Sequence, residues 1–123
     1  MFSTHHKLDN LCVIIDVNGL QIDGPTAEVM NAEPIDKKMD AFGFEVFVVN
    51  GNDVAEVAAA MEKARQIKGK PSCLVAKTTK GKHISFMENK ASWHGKAPND
   101  EEAQAALAEL KALSAQMEGN ANV

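Results

Sequence analysis

Three short runs of aliphatic and β-branched residues constrain the fold of this chain most strongly. They span residues 11–15, 46–49 and 73–76. Each run is continuous rather than alternating, which is typical of strands in a parallel sheet that is covered on both faces. The pattern predicts an α/β fold built on a partial doubly wound parallel sheet, with about three strands and three helices.

A helix is predicted between the second and third runs. Asp53 and Glu56 have the spacing of a capping box, and Gly69 and Pro71 end the segment. Apolar residues recur between them at helical intervals: Val54, Val57, Ala58, Met61 and Ala64. A strand, a helix and a strand in this order predict a right-handed βαβ crossover, so Val46 and Cys73 should begin neighbouring parallel strands.

Two further helices are predicted. The first runs from Pro34 to Phe42 and is closed by Gly43, with Ile35, Met39 and Phe42 on one face. The second follows Pro98, with Asn99 as its cap and acidic residues in its first turn. Its apolar stripe comprises Ala103, Ala106, Leu107, Leu110 and Leu113. Residues 118–123 are expected to form a frayed tail.

Composition bounds the class of protein. With 123 residues, of which 45% are apolar, the chain has room for one domain with an ordinary core. Its formal net charge of −4 gives no basic field for nucleic acid or an anionic membrane. We find no secretory or membrane-spanning segment, so a soluble cytoplasmic protein is expected. Cys12 and Cys73 lie inside apolar runs, which predicts buried thiols rather than a disulfide or a metal pair.

The small strand count predicts an incomplete sheet. A buried central strand needs neighbours on both sides, and the first run begins almost at the amino terminus with no helix predicted before it. Unless other chains supply neighbours, a sheet edge or an apolar face should be exposed. We therefore expect self-association or poor solubility.

A polar, glycine-punctuated stretch follows the first strand, over residues 16–24. Ligands of open α/β sheets bind beyond the carboxyl ends of the strands, so this stretch is suitably placed for a site. Asn18 and neighbouring backbone carbonyls offer the hard oxygen ligands that suit magnesium holding a phosphate. The alternative is that Asn18-Gly19 and Asp23-Gly24 are simply turns. Spacing alone leaves both interpretations open.

Two later loops also carry polar groups. Residues 77–83 follow the third strand and offer hydroxyls and positive charge that either face an anion or are simply solvated. Trp93 and His94 lie together between small residues; the histidine either holds a phosphate or moves a proton, or it is a surface residue beside an anchoring tryptophan. His5 and His6 reach a ligand only if the amino terminus folds inward. We find no Walker, dinucleotide, Cys-x-x-Cys or Gly-x-Ser-x-Gly motif.

Taken together, six segments resemble transketolase, in particular the amino-terminal subunit of split bacterial transketolases. They lie at residues 7–11, 16–24, 42–46, 70–72, 78–82 and 93–98, in the family's order and spacing. The similarity extends from about His5 to about Leu113. Other thiamine-diphosphate enzymes share the fold, but Asn-Gly-Leu-Gln-Ile-Asp-Gly and Trp-His-Gly look like transketolase.

The resemblance implies a single incomplete thiamine-diphosphate-binding domain over residues 1–123, which grips the diphosphate of the cofactor through magnesium. Asn18 matches the family's metal-ligating asparagine, and Leu20 matches the residue whose backbone carbonyl completes that ligation. Ile22 matches an apolar residue that lies against the cofactor. The implied reaction transfers a two-carbon ketol unit from a ketose phosphate to an aldose phosphate.

The resemblance also assigns three residues of the later loops. His94 matches a histidine that contacts the diphosphate and the substrate side of the site, which makes it the candidate catalytic residue. Lys80 and Lys96 match lysines that lie near the cofactor in some members. His83 departs from the pattern because it lies where the family usually carries glycine, and Asn52 lies where a histidine is common.

The resemblance further implies partners. The family's Gly-Asp-Gly motif, whose aspartate is the anionic metal ligand, is absent from this sequence, and so is the pyrimidine-binding domain. We therefore expect the chain to be inactive without another transketolase segment or subunit, and to form a homo-oligomer. The alternatives are a non-catalytic remnant that acts as a self-associating module, and a flavodoxin-like domain for another phosphate ligand.

Overall fold

The structure is a computed structural model that describes the backbone of residues 1–121 and the side chains of residues 1–119. Its strands are β1 Cys12–Val17, β2 Leu20–Gln21, β3 Gly24–Pro25, β4 Glu45–Asn50 and β5 Ser72–Lys77. Its helices are α1 Phe2–His5, α2 Thr26–Val29, α3 Ile35–Ala41, α4 Val54–Gln66 and α5 Asp100–Ala121, with a 3₁₀ turn at Ala91–Trp93. These elements form two compact units, Met1–Thr78 and Thr79–Val123.

The first unit is built on a parallel sheet of strand order β1-β5-β4. Val46 lies opposite Cys73 in the β4–β5 register, so the predicted βαβ unit is confirmed. On the other side of β5, Val13 lies opposite the same cysteine. A separate antiparallel hairpin, β2–β3, follows β1.

Helices cover both faces of the central strand, as a doubly wound sheet requires. On one face, Ala60 and Ala64 of α4 pack against β4 and β5 in a cluster completed by Val49, Leu74 and Ala76. On the other face, Ile35 and Met39 of α3 pack against a cluster formed by Phe44, Cys73 and Val75. Both buried residues of α4 are alanine, so the helix can lie close to the sheet, and Val57 packs at the edge of the same cluster.

The expectation that all three strands are covered on both faces is wrong for the two outer strands. The burial of β1 alternates, with Val13, Ile15 and Val17 half-buried and the residues between them exposed. Ile14 is 54% exposed, while its neighbour Leu74 on β5 is fully buried. The difference arises because α4 packs over β4 and β5 and leaves β1 uncovered on that face. The expected exposed apolar face is therefore present.

The two cysteines show the same difference in burial between the central strand and an outer strand. Cys73 on β5 is buried, as predicted, and burial raises the pKa of its thiol. Cys12 on β1 is exposed, so the prediction of a buried thiol is wrong there. It lies on the same uncovered face as Ile14, two residues away in the strand. Both thiols are free.

The helix ends were largely predictable from their capping residues. Asp53 Oδ1 accepts a hydrogen bond of 3.0 Å from the amide of Glu56 at the start of α4. Asn99 and Glu102 form a reciprocal capping box at the start of α5, with hydrogen bonds of 2.8 and 2.9 Å. At the end of α3, Gly43 adopts φ 86°, the left-handed conformation that closes many helices.

Several details differ from the sequence expectations. Helix α1 and the β2–β3 hairpin were not predicted, because both are too short to show a hydrophobic period. On the predicted apolar face of α3, Phe42 is 46% exposed. Leu107 and Leu110 of the α5 stripe are likewise exposed. Residues 118–121 of the expected frayed tail continue α5, and residues 122 and 123 lie outside the described residues.

None of the helices in the described part of the chain is both long enough and apolar enough to cross a membrane.

The paired residues Leu74 and Ile14 give a direct test of which strand holds the sheet together. We expect Leu74→Ala to lower the free energy of unfolding by about 3 kcal/mol, because it leaves a cavity in the buried strand. The matched change Ile14→Ala should cost less than about 1 kcal/mol, since that side chain is half in solvent. Urea denaturation of the two variants measures the difference. Equal losses would contradict the central role of β5.

Candidate functional site

The carboxyl ends of β1 and β5 lie at the same edge of the sheet, and a small cavity opens beside the end of β1. The cavity has a volume of about 120 Å³. Four of the residues that line it carry side-chain oxygens: Asp16, Asn18, Thr26 and Glu33. The site therefore forms where a parallel sheet normally binds its ligand, among residues that offer oxygen atoms.

The loop after β1 is a turn stabilised by its own asparagine. Asn18 Oδ1 accepts a hydrogen bond of 2.9 Å from the amide of Leu20, and Gly19 adopts φ 74° between them. The carbonyl of Gly19 accepts from the amide of Thr26 at 2.9 Å, which ties the loop to the start of α2. Asn18-Gly19 therefore forms a turn, as one of the two interpretations predicts. It does not conflict with a binding role, because the turn itself places the asparagine at the cavity.

Two oxygens of this loop retain capacity for another partner. An amide oxygen has two lone pairs, and the amide of Leu20 uses one of those on Asn18. Leu20 lies opposite Pro25 in the β2–β3 register. Proline has no N–H, so Pro25 cannot donate a hydrogen bond to the carbonyl of Leu20. The side-chain oxygen of Asn18 and the carbonyl oxygen of Leu20 are ligands of the type that magnesium accepts.

Ile22 lies at the tip of the same hairpin, between β2 and β3. Its side chain is 66% exposed, which is high for an isoleucine. Asp23, beside it in the tip, is also exposed. The hairpin therefore presents an apolar side chain to solvent next to the Asn18 loop.

A threonine that the sequence analysis did not single out anchors this loop. Thr78 Oγ1 donates to Asp16 Oδ1 at 2.5 Å, and the Thr78 amide donates to the carbonyl of Val17 at 3.1 Å. The end of β4 approaches from the other side, where a Cβ on Gly51 would lie 2.5 Å from Thr78 Cγ2. Thr78 thus contacts the ends of both outer strands.

An ion pair closes the far side of the cavity. Lys77 Nζ lies 2.6 Å from Glu33 Oε1, and the amide of Ile35 donates to the second carboxylate oxygen at 2.9 Å. Both hydrogen bonds lower the pKa of the Glu33 carboxyl, and the bond from Lys77 has the larger effect. Asp16 has no ion pair within residues 1–119, so it is the cavity's carboxylate without a cationic partner.

The second unit carries the other predicted site residues. His94 is exposed and directly follows the 3₁₀ turn, where its amide donates to the carbonyl of Ala91 at 2.9 Å. Trp93 is half-buried, and its Nε1 donates to the carbonyl of Phe86 at 3.1 Å, as the anchoring interpretation predicts. His94 therefore extends from a turn that the tryptophan fixes.

The two lysines of this unit differ in how they are held. Lys96 Nζ lies 4.1 Å from the centroid of the Trp93 ring and 2.9 Å from Glu102 Oε1. Its charge is therefore already partly compensated. Lys80 is half-buried, and its carbonyl accepts from the amide of Asn89 at 3.0 Å.

No group of three or more histidine, cysteine, aspartate or glutamate side chains in the described part of the chain is arranged to hold a metal ion. His5 and His6 contact each other edge-on, with ring centroids 4.9 Å apart, at the end of α1. Both are exposed. A metal at the Asn18 loop would thus need ligands of other kinds, such as amide, carbonyl and phosphate oxygens.

Comparison with known proteins identifies the family. Residues 1–115 match the family described as transketolase, thiamine diphosphate binding domain. The chain belongs to this family. The predicted resemblance to transketolase and the predicted fold are thereby confirmed.

Individual relatives are transketolase subunits that are longer than this chain. It is 45% identical over 109 residues to an apulose-4-phosphate transketolase subunit of Actinobacillus succinogenes, covering 89% of this chain and 39% of that protein. It is 40% identical over 111 residues to the 6-deoxy-6-sulfo-D-fructose transketolase subunit SqwG of a Clostridium species, covering 90% of this chain and 40% of that protein. The chain therefore spans about two fifths of the length of these relatives.

A solved structure gives the same relationship. The chain superposes on the transketolase of Campylobacter jejuni with a TM-score of 0.79 and 33% sequence identity, over 85% of this chain and 16% of that one. The transketolase of Leishmania mexicana, at 24% identity and a TM-score of 0.63, shares the fold.

One departure from the transketolase pattern has a structural consequence. His83, where the resemblance leads us to expect glycine, adopts φ 73°. This is the left-handed region, which costs a non-glycine residue about 1–2 kcal/mol. Nearby Gly81 also has a positive φ, and a Cβ there would lie 2.8 Å from the Cβ of Met87. The loop is thus shaped for glycine at both positions, and His83 is strained.

We expect His83→Gly to raise the free energy of unfolding by about 0.5–1 kcal/mol, because glycine adopts this φ freely but also gains freedom in the unfolded chain. His83→Ala is the control, since it removes the imidazole and keeps the strained Cβ. It should leave stability nearly unchanged. Thermal and urea unfolding measure both variants, and equal stabilisation by alanine would show that the imidazole, rather than the backbone, is the cause.

Proposed function

We propose that this chain forms part of the cofactor-binding region of a transketolase, which transfers a two-carbon ketol unit from a ketose phosphate to an aldose phosphate. The observation that carries the proposal is the Asn18 loop. In a member of the transketolase family, it brings the amide oxygen of Asn18 and the carbonyl of Leu20, to which Pro25 cannot donate, to the carboxyl edge of a parallel sheet. We further propose that the protein acts in the cytoplasm.

Magnesium fits this loop by the chemistry of its donors. Asn18 Oδ1 and the Leu20 carbonyl would hold the ion, and the diphosphate oxygens of thiamine diphosphate would supply further ligands. Bound in this way, the cofactor supplies the centre that stabilises the carbanion of the transferred unit. The chain's own contribution is to fix the diphosphate end, so that the reactive ring is oriented.

The remaining predicted residues receive roles that suit their surroundings. Ile22, exposed at the hairpin tip, offers an apolar surface for the cofactor. His94, exposed after the 3₁₀ turn, is the candidate catalytic residue, because its imidazole is suited to bind a phosphate oxygen and to move a proton on the substrate side. Lys80 and Lys96 are proposed to attract the diphosphate. An anion would have to compete with Glu102 for Lys96.

The proposed ligand set is incomplete, which implies partners. Asn18 and Leu20 contribute no charge, whereas magnesium usually takes one or two carboxylates besides phosphate. The two bacterial relatives are each named as one subunit of a transketolase. We propose that another transketolase segment supplies the anionic ligand and that a pyrimidine-binding subunit completes the site. We also propose that copies of this chain associate as a homo-oligomer within that assembly.

A second candidate function rests on the uncovered sheet. Ile14 and Val48 are each more than half exposed, on the two outer strands. Such apolar exposure suits a non-catalytic module that associates with another copy of itself. In that case the Asn18 loop would be a structural turn alone. Binding of the cofactor separates the two candidates.

We expect the full chain to bind thiamine diphosphate weakly in excess magnesium, and Asn18→Ala to weaken that binding about 10-fold or more by removing a ligand. Asn10→Ala, an exposed asparagine away from the loop, is the control and should bind like the wild type. Isothermal titration calorimetry measures the three dissociation constants. Equal binding by Asn18→Ala and the wild type would remove the metal role of Asn18.

We expect no ketol transfer by the purified chain alone, and transfer when a pyrimidine-binding subunit is added together with a segment carrying Gly-Asp-Gly. The reason is that the chain lacks the anionic ligand and the pyrimidine site. A coupled assay with a ketose phosphate donor and an aldose phosphate acceptor measures both conditions. Turnover by the chain alone would overturn the need for partners. Inactivity of the full mixture would favour the non-catalytic module.

A further inference from the structure

We infer that Thr78 and Asp16 form a positioning pair that sets the orientation of the Asn18 loop and its electrostatic preference for a cation. The inference rests on the proposed function, because the loop is taken to be the magnesium-binding element. Neither residue is proposed to contact the metal. They act through Asn18.

The hydrogen bonds of Thr78 support the positioning role. Its hydroxyl donates to Asp16 Oδ1, and its amide donates to the carbonyl of Val17, at 2.5 and 3.1 Å. These are the two residues that precede Asn18, which is the first residue beyond the end of β1. One threonine therefore holds both residues that determine how the chain enters the loop.

The packing around Thr78 keeps its hydroxyl in place. The backbone of Gly51 passes so close that a Cβ there would lie 2.5 Å from Thr78 Cγ2 and 2.9 Å from Ala76 Cβ. The amide of Gly51 also donates to the carbonyl of Lys77 at 2.8 Å. The methyl group thus fills the space that Gly51 leaves open. A β-branched residue held by its methyl group has little freedom about χ1, so the hydroxyl stays directed at Asp16.

The position of Asp16 is otherwise unfavourable. It is exposed on a strand whose other residues are all apolar, and aspartate is among the residues least suited to strands. One oxygen is engaged by Thr78, and Asp16 is among the residues that line the cavity. A local role at the cavity accounts for an acidic residue here better than a contribution to the sheet does.

The charges around the cavity complete the argument. Glu33 is paired with Lys77, so the two charges largely cancel. Asp16 has no ion pair among the side chains that the structure describes, and a neutral hydroxyl partner leaves its charge intact. The cavity therefore carries a local negative charge beside two neutral oxygen donors, which favours a cation over a free phosphate.

The test compares Thr78→Val, which keeps the β-branched shape but replaces the hydroxyl with a second methyl group, with Thr78→Ser, which keeps the hydroxyl. Amide hydrogen exchange in the full chain without ligand is measured at Leu20, whose amide donates to Asn18, and at Val75 in the central strand. We expect Leu20 to exchange about 10-fold faster in Thr78→Val with Val75 unchanged, and Thr78→Ser, which lacks the methyl group that fixes χ1, to restore part of the protection. Unchanged exchange at Leu20, or an equal rise at both amides, would overturn the positioning role.

A second variant, Asp16→Asn, tests the charge separately because an amide oxygen still accepts from Thr78. We expect its Leu20 exchange to match the wild type, while the magnesium concentration for half-maximal binding of thiamine diphosphate rises about 10-fold. An unchanged magnesium requirement would overturn the electrostatic role. If the wild type binds no thiamine diphosphate even with the partner segments added, the proposed function fails. The Leu20 result still decides whether Thr78 positions the loop.

Discussion

The packing of β5 between β1 and β4 is the interaction on which the rest of the structure depends. Its residues from Ser72 to Ala76 are buried, and Leu74 and Val75 belong to the hydrophobic clusters on opposite faces of the sheet. Each outer strand is paired only with β5 within the described residues. The strand that contributes most to stability is thus also the one that sets the register of the others.

That register brings the candidate site together. Asp16 lies opposite Ala76 and Val17 opposite Lys77, so the residue after β5 reaches the end of β1. Thr78 can therefore bond to both Asp16 and Val17, and Lys77 can pair with Glu33 across the cavity. A one-residue slip would separate these partners and turn apolar side chains of β1 to the opposite face. The same pairing that buries the core also aligns the polar groups at its edge.

The sequence predicts those parts of the molecule that local pattern determines. The three parallel strands, α4 with its Asp53 cap, and the Asn99 cap of α5 all follow from short-range composition. The resemblance of six segments, the Asn18 loop among them, identified the family. The polar contacts around that loop could not be predicted, since Thr78 and Asp16 are 62 residues apart and Lys77 and Glu33 are 44 apart. The prediction that Cys12 is buried was wrong, because an apolar run does not indicate whether a helix covers the strand that it forms.

The exposed edge of the sheet and the proposed metal-binding loop both belong to the same strand, β1. β1 is an edge strand with Ile14 exposed, and it also leads directly into the Asn18 loop. On its other side β5 already occupies the space, and Thr78 closes that approach by bonding to Asp16 and Val17. Within the plane of the sheet, an added carboxylate would therefore approach from the open side of β1. A polypeptide that covered Ile14 there would bury apolar surface while placing its own residues next to Asn18, so stability and metal binding would be gained together.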